Sequence, residues 1–524
     1  MGTSSDAGGT GADAAGWREA IRSALPTERF GDHLTILSGT GQNIAGLAVF
    51  VLATLGTNVL ISRVLGASGL GIVTLTSQFA FVAGAATRFG MDMATVRRVA
   101  IDVGKGEPGR VRGVMVRAVA IASVASLAVG IAVFFGASGI ARAFGSREAR
   151  DAFRAAALAL PFVALCQVYL GGTRGLKVMR HTLSIYWVGQ PLAWIALLAA
   201  GWSISKSVSM SVLAYAGSWI LATFAAAFVW DRETRAFPAL PSEPGEAREL
   251  ARYGAPRAPA ALLSQLLFWT DYFVLSRYVT SAELGVYAAA VRVAQALVLF
   301  LIAVNYMFSP FVADLHARGE RDRLDGLYKA LARWTLAGTL PLLLLLIVVP
   351  GPVLLIFGAK FDTAVTPLRI LLIGQIVNVA VGSVGFILIM VGRTGWDLVV
   401  YAGSFVVDLA VAFGLAPSLG ARGAAIAQAV TLVVSNAARL YLVWRFVHIQ
   451  PFNRHYARLA IPAAAGGAVM MGVHLLLRKG GWPVDLVVTG LTGAVAYAVV
   501  LVAAGLTPTE RAAVGRVLGA RRAG

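Results

Sequence analysis

The sequence predicts an all-α polytopic membrane protein: about fourteen transmembrane helices, as two like-oriented six-helix lobes followed by a C-terminal helix pair. Three observations lead there. Apolar runs long enough to cross a bilayer, which takes roughly 20 helical residues, fill almost everything after residue 42. Of the 524 residues, 58% are hydrophobic and only 14% charged, against roughly 25% charged in soluble domains. Short motifs also recur at a nearly constant spacing of 214 residues.

The spans, in order, are 43–65, 69–91, 113–136, 152–172, 183–203 and 208–230, then 255–277, 283–310, 334–357, 364–391, 395–417 and 423–446, and last 456–478 and 482–505. They are numbered 1 to 14. Backbone groups in lipid must be satisfied within the segment, so each is read as a helix. Residues 1–38 are polar and rich in Gly, Ala and Ser, with no apolar core before Thr35. They read as a disordered cytoplasmic tail, with a short helix near Trp17–Leu25, and not as a secretory signal. The expected organisation is an N-lobe at 39–230, a cytoplasmic linker at 231–252, a C-lobe at 253–446, the helix pair within 447–505 and a basic tail at 506–524.

Orientation follows from the basic residues. With the N-terminus inside, the inner segments and their span edges hold 30 of the 45 Lys and Arg, and the opposite loops hold 10. That bias places both termini in the cytoplasm. Trp202, Trp230, Trp396, Trp444 and Trp482 lie near span ends, as interfacial anchors do.

The repeat is visible in three places. Ile61-Ser62-Arg63 followed by Leu70-Gly71 matches Leu275-Ser276-Arg277 followed by Leu284-Gly285, at an offset of 214. Phe144-Gly145 with Arg154 matches Phe357-Gly358 with Arg369, and Val229-Trp230 matches Val443-Trp444. Six helices is an even number, so both copies enter from the same side and should be related by an axis along the membrane normal. Two such lobes with a seam between them suit alternating access.

Several function classes are excluded. The net charge of +19 would raise nucleic acid as a partner in a soluble protein, but here the basic residues punctuate apolar runs. There is no GxxxxGK[ST] phosphate loop, no nucleophile elbow and no metal-ligand spacing among the six His residues. The one cysteine, Cys166, lies in an apolar run and reads as a small core hydrophobe. No cofactor is expected.

Residues 61–100, ISRVLGASGLGIVTLTSQFAFVAGAATRFGMDMATVRRVA, resemble the opening of the polysaccharide flippase family, within the multidrug/oligosaccharidyl-lipid/polysaccharide exporter superfamily. FGAKFDTAVTPLRIL at 357–371 resembles its link between spans 9 and 10, and LGARGAAIAQ at 419–428 its approach to span 12. The resemblance implies a flippase that carries an undecaprenyl pyrophosphate-linked oligosaccharide to the outer leaflet of a bacterial inner membrane. It implies the lipid-linked oligosaccharide as a partner; the spans imply the bilayer, a membrane carboxylate such as Asp271 suits a coupling proton or sodium ion, and other polysaccharide-assembly membrane proteins complete the expected partners. The rivals are a drug/cation antiporter of the same superfamily and a membrane-bound polymerase or ligase. The longest outer loop, about 15 residues, is short for a catalytic lobe.

A charged headgroup needs a polar route, and charges within spans cost about 2.5–3.5 kcal/mol at a helix centre. Arg292 in span 8 shares a face with Gly285, Ala288, Ala289 and Gln295. Its guanidinium is expected either to meet phosphate or to pair with Asp271 of span 7. Asp271 is read as a helix-packing carboxylate or a coupling-ion ligand. Gln78 with Thr74 and Ser77 in span 2, Gln375 with Asn378 in span 10, and Asp408 with Tyr401 and Ser404 in span 11 form further polar stripes. Singly these read as helix glue; together they read as a cavity lining. Arg117 is expected to reach the cytoplasmic headgroups, and Pro256 and Pro259 to bend span 7.

Overall fold

The computed structural model describes residues 31–104, 107–176, 178–237, 245–254, 257–317, 319–478 and 480–506. Among them the backbone is helix and turn, with no strand. Eleven helical stretches are long and apolar enough to cross a membrane. The first of these holds spans 1 and 2, because Gly66, at φ 72° and ψ −173°, interrupts the run Gly31–Thr87. Span 7 is the shorter helix Arg257–Leu275. Span 8 is split into Ser281–Gln295 and Val298–Ala317. These together account for the fourteen.

The remaining spans are Val111–Ala143, Arg150–Gly175, Thr182–Trp202, Val208–Thr234, Arg321–Val348, Val365–Met390, Thr394–Leu419, Ala421–Val447, Ala460–Leu477 and Trp482–Gly505. The first half of span 5, Thr182–Gly189, is wound as π-helix. Span 10 is interrupted at Gly382, whose φ of 70° is left-handed and suits glycine.

Some expectations shift. Gly31, the first described residue, is already helical, inside the segment read as tail, while Trp17–Leu25 and 507–524 lie outside the described residues. Pro256 also lies outside them, and Pro259 sits in the first turn of span 7, where its missing N–H interrupts no helical bond. It therefore bends nothing. Trp202 and Trp230 are buried, Trp202 donating to Ser211 Oγ at 3.1 Å, whereas Trp396 and Trp444 are exposed as anchors should be.

In the N-lobe, span 4 is central and contacts spans 2, 3 and 6. It is Ala-rich and contributes Ala156, Ala159, Leu160 and Cys166 to the core; small side chains let helix axes approach in lipid. In the C-lobe its repeat counterpart, span 10, contacts spans 8, 9 and 12, and span 12 packs in turn on spans 7 and 11. The final pair packs on span 9, where the Tyr497 hydroxyl donates to the Ala337 carbonyl at 2.8 Å and Arg333 donates to the Gly505 carbonyl.

The lobes meet where span 2 starts against span 8. A Cβ on Gly71 would lie 2.1 Å from the Ser281 carbonyl oxygen, and one on Gly285 would lie 1.9 Å from the Ala67 carbonyl oxygen. Residues 67 and 281 are separated by the same offset as 71 and 285, so the contact is reciprocal. A two-fold axis produces that self-complementary pattern, and here it relates two halves of one chain. The Tyr272 hydroxyl adds a bond to the Gly71 carbonyl at 2.9 Å. The bundle end holding this contact is termed the far end; the end holding the linker is the near end.

Candidate functional site

Span 8 starts with a capping box. Thr280 Oγ1 accepts from the Glu283 N–H and the Glu283 carboxylate accepts from the Thr280 N–H. This fixes the helix start and so sets the depth of Tyr287 and Arg292. The helix stops after Gln295, with Ala296 and Leu297 in a turn, and resumes at Val298. Interrupted spans are where transporters place substrate and ion sites. No glycine or proline marks this break, so the sequence alone carried no sign of it.

Arg292 is half-buried at the end of that first segment. Its Nη1 donates to Gln295 Oε1 at 3.4 Å, and the guanidinium lies 4.8 Å from the centroid of the Trp269 ring. Its Nε has no hydrogen-bond partner among the described residues. Of the two expected partners, Asp271 is not taken: no ion pair joins it to Arg292 among the described residues. Trp269, two residues before Asp271 in span 7, occupies the guanidinium face instead. Stacking on an indole holds a cation while leaving its in-plane N–H groups free.

Asp271 is buried and accepts from the Tyr287 hydroxyl, while its Oδ1 has no hydrogen-bond partner among the described residues. Asp408 of span 11 is equally buried. The Thr431 hydroxyl donates to its Oδ1 at 3.2 Å, and its Oδ2 is unpartnered among the described residues. Span 7, which carries Asp271, packs along span 11, which carries Asp408. Spans 7, 8, 11 and 12 thus bring two acids to one place with one oxygen left open on each.

Gln375 and Asn378 form a third group. Asn378 Nδ2 donates to Gln375 Oε1 at 3.3 Å, and Asn436 Nδ2 of span 12 donates to Asn378 Oδ1 at 3.2 Å. These amides tie span 10 to span 12 inside the C-lobe, so the helix-glue reading describes their contacts. Toward the near end, Arg439 Nε bonds Asp397 Oδ1 at 3.0 Å and stacks on Tyr401 at 4.5 Å. Gln78 is buried in span 2 and makes no side-chain hydrogen bond among the described residues. Sequence reasoning missed Trp269, Tyr287, Thr431 and Asn436. Thr431, Asn436 and Arg439 form a polar stripe along span 12 that helical spacing exposes.

At the near end, the linker helix Glu246–Gly254 docks on the N-lobe. Glu246 is buried and bonded by Arg117, with Arg98 at 3.9 Å. Arg117 therefore holds a carboxylate and does not reach for headgroups. Burial pushes the carboxyl of Asp102 above its ordinary value, against the pull of Arg98. At the near end of span 6, Arg180 Nη2 donates to Glu233 Oε1 at 2.9 Å, and His181 Nε2 lies 2.8 Å from the same oxygen. No group of three His, Cys, Asp or Glu able to hold a metal occurs among the described residues.

A family model described as "Polysaccharide biosynthesis protein" matches residues 37–316, more than half of the chain. The chain belongs to this family. No curated protein sequence matches it. Several solved structures have similar folds, among them three transporters. "Lipid II flippase MurJ, inward closed conformation" aligns at TM-score 0.70 and 14% identity, over 87% of this chain and 97% of that one. An inward-facing multidrug resistance MATE family transporter of the MOP superfamily aligns at 0.67 and 15% identity, over 76% and 94%. A MOP superfamily transporter from Pyrococcus furiosus, with a binding pocket described as of reverse polarity, aligns at 0.57 and 14%, over 79% and 95%. The family member described here is thus a multi-pass membrane protein with the MOP transporter fold.

Proposed function

We propose that this polysaccharide biosynthesis protein is a flippase. It moves an oligosaccharide linked to undecaprenyl pyrophosphate from the inner to the outer leaflet of a bacterial cytoplasmic membrane, with both termini in the cytoplasm. The observation that carries the reading is Arg292: a half-buried guanidinium at a helix break, held on its face by Trp269, with an unpartnered Nε. An anionic headgroup is the ligand such a group suits, since Arg matches phosphate in two-pronged geometry. The lipid tail stays in the bilayer while the headgroup passes between the lobes. The MurJ neighbour's printed name, a lipid II flippase, supports a lipid-linked cargo.

The open oxygens of Asp271 and Asp408 support a coupling cation, proton or sodium, between spans 7 and 11. The same carboxylates favour the second reading, a drug/cation antiporter. That reading gives Arg292 no role, because a cationic drug gains nothing from a guanidinium.

The test is export. Arg292→Ala, expressed at normal level, is expected to reduce surface glycan and the translocation of a lipid-linked oligosaccharide in proteoliposomes. Unchanged translocation would remove Arg292 from the route. Translocation of a cationic dye but no lipid-linked sugar would establish the antiporter.

A further inference from the structure

The pseudo-two-fold axis creates two equivalent corners at the far end, and they are built differently. At one, Arg63 of span 1 donates from Nε and Nη2 to the Ile356 and Leu355 carbonyls at 2.9 and 2.8 Å, and Ser62 Oγ donates to the Phe357 carbonyl at 2.9 Å. The guanidinium and hydroxyl satisfy carbonyls left open after span 9, and the corner is sealed. At the other corner stand the repeat counterparts Ser276 and Arg277, facing the end of span 3. Gly145 lies close enough that a Cβ there would sit 3.4 Å from the Arg277 Cα. Yet the Arg277 side chain is exposed and makes no hydrogen bond or ion pair among the described residues. Beside it lies a cavity of about 460 Å³ between span 3 of one lobe and spans 7 and 11 of the other.

The walls of this cavity are apolar: Phe144, Leu266, Phe273, Leu409 and Phe413, with Arg277 at the mouth. Two hydroxyl side chains line it: Thr270 donates to the Leu266 carbonyl at 2.7 Å, and Tyr278 stands exposed beside Arg277 at the rim. From Leu266 to Arg277 the helix climbs roughly 16 Å, close to half of a hydrocarbon core about 30 Å thick. The groove therefore has the depth of one leaflet, a cation at headgroup level and aromatic walls below.

We infer that this corner binds a phospholipid of the far-end leaflet, with its anionic headgroup on Arg277 and one acyl chain in the groove. Charge complementarity and leaflet-matched depth select that occupant over a polyisoprenoid carrier, whose chain is longer than one leaflet. The lipid completes the seam that Arg63 closes with protein alone at the other corner. It thereby stabilises the arrangement in which Gly71 and Gly285 are in contact. The inference is independent of what the transporter carries.

The experiment uses the full chain in nanodiscs, with a benzophenone side chain in place of Leu409. Photocapture of phosphatidylglycerol is expected to exceed that of phosphatidylcholine by about fivefold, from a single basic residue at a membrane surface. Arg277→Gln should erase the preference and Arg277→Lys should keep it. Equal capture of both lipids, no capture, or an unchanged preference in Arg277→Gln overturns the assignment. Displacement of phosphatidylglycerol by an equal mole fraction of undecaprenyl phosphate also overturns it, assigning the groove to an isoprenoid. Because the readout is lipid capture, it is unaffected by whether the Arg292 export test succeeds.

Discussion

The two lobes share a scaffold and differ in chemistry. At the repeat offset, Asp271 of the C-lobe corresponds to Thr57 of the N-lobe, and Arg292 corresponds to Gln78. Thr57 is buried and bonds the Ala53 carbonyl of its own helix, so nothing at that N-lobe position seeks an outside partner. Its C-lobe counterpart is a carboxylate with an open oxygen. Duplication thus supplied two copies of a helix framework, and intramembrane charge was placed in one. An ionisable group within a membrane is costly enough that its placement on one side marks function.

The largest effect is expected at the one place where the lobes are alike. Gly285→Leu forces the Ala67 backbone away and should abolish far-end closure, with transport falling below detection. Gly71→Leu should match it. Cysteine accessibility at the far end in intact vesicles checks both, and a normal response in either variant would break the reciprocal contact.

Arg292→Ala against Gln78→Ala comes next. Loss of a charged hydrogen-bonding group costs about 1.5–3 kcal/mol, a drop of roughly tenfold to a hundredfold in translocation. The N-lobe counterpart should change it less than about threefold. Equal losses would mean that the asymmetry has no functional weight.

Asp271→Asn against Thr57→Val tests coupling. The Asn variant should lose the response of transport rate to an imposed proton or sodium gradient while retaining exchange without one. The Val variant should keep that response. An intact response in Asp271→Asn removes the carboxylate from coupling.

The smallest effect is expected for Asn436→Leu. It cuts the amide link from span 12 to Asn378, worth about 0.6 kcal/mol for an interhelical bond in a membrane. Thermal unfolding in detergent should move slightly, with transport intact. A large transport loss would shift the span 10 amides from helix glue to the route.

Much of the fold was legible because it depends on local properties. Apolar length marked the spans, and Leu70-Gly71 and Leu284-Gly285 gave the repeat. The polar faces of spans 7, 8 and 11 named Asp271, Arg292 and Asp408. The break in span 8 at Ala296–Leu297 was hidden because good helix formers occupy it. Arg117 was misread because its partner, Glu246, lies 129 residues away in a linker helix.

The sequence by itself determined the helices and the duplication, since hydropathy and offset are properties of the chain read in one dimension. The tertiary structure alone decided partners. Trp269, and not Asp271, lies against the Arg292 guanidinium. Arg63 is sealed onto carbonyls nearly 300 residues away, and Arg277 is left open over a groove. Those outcomes depend on which helix faces meet and at what depth, and a difference of one helical turn, roughly 5.4 Å, separates a hydrogen bond from an unpartnered cation.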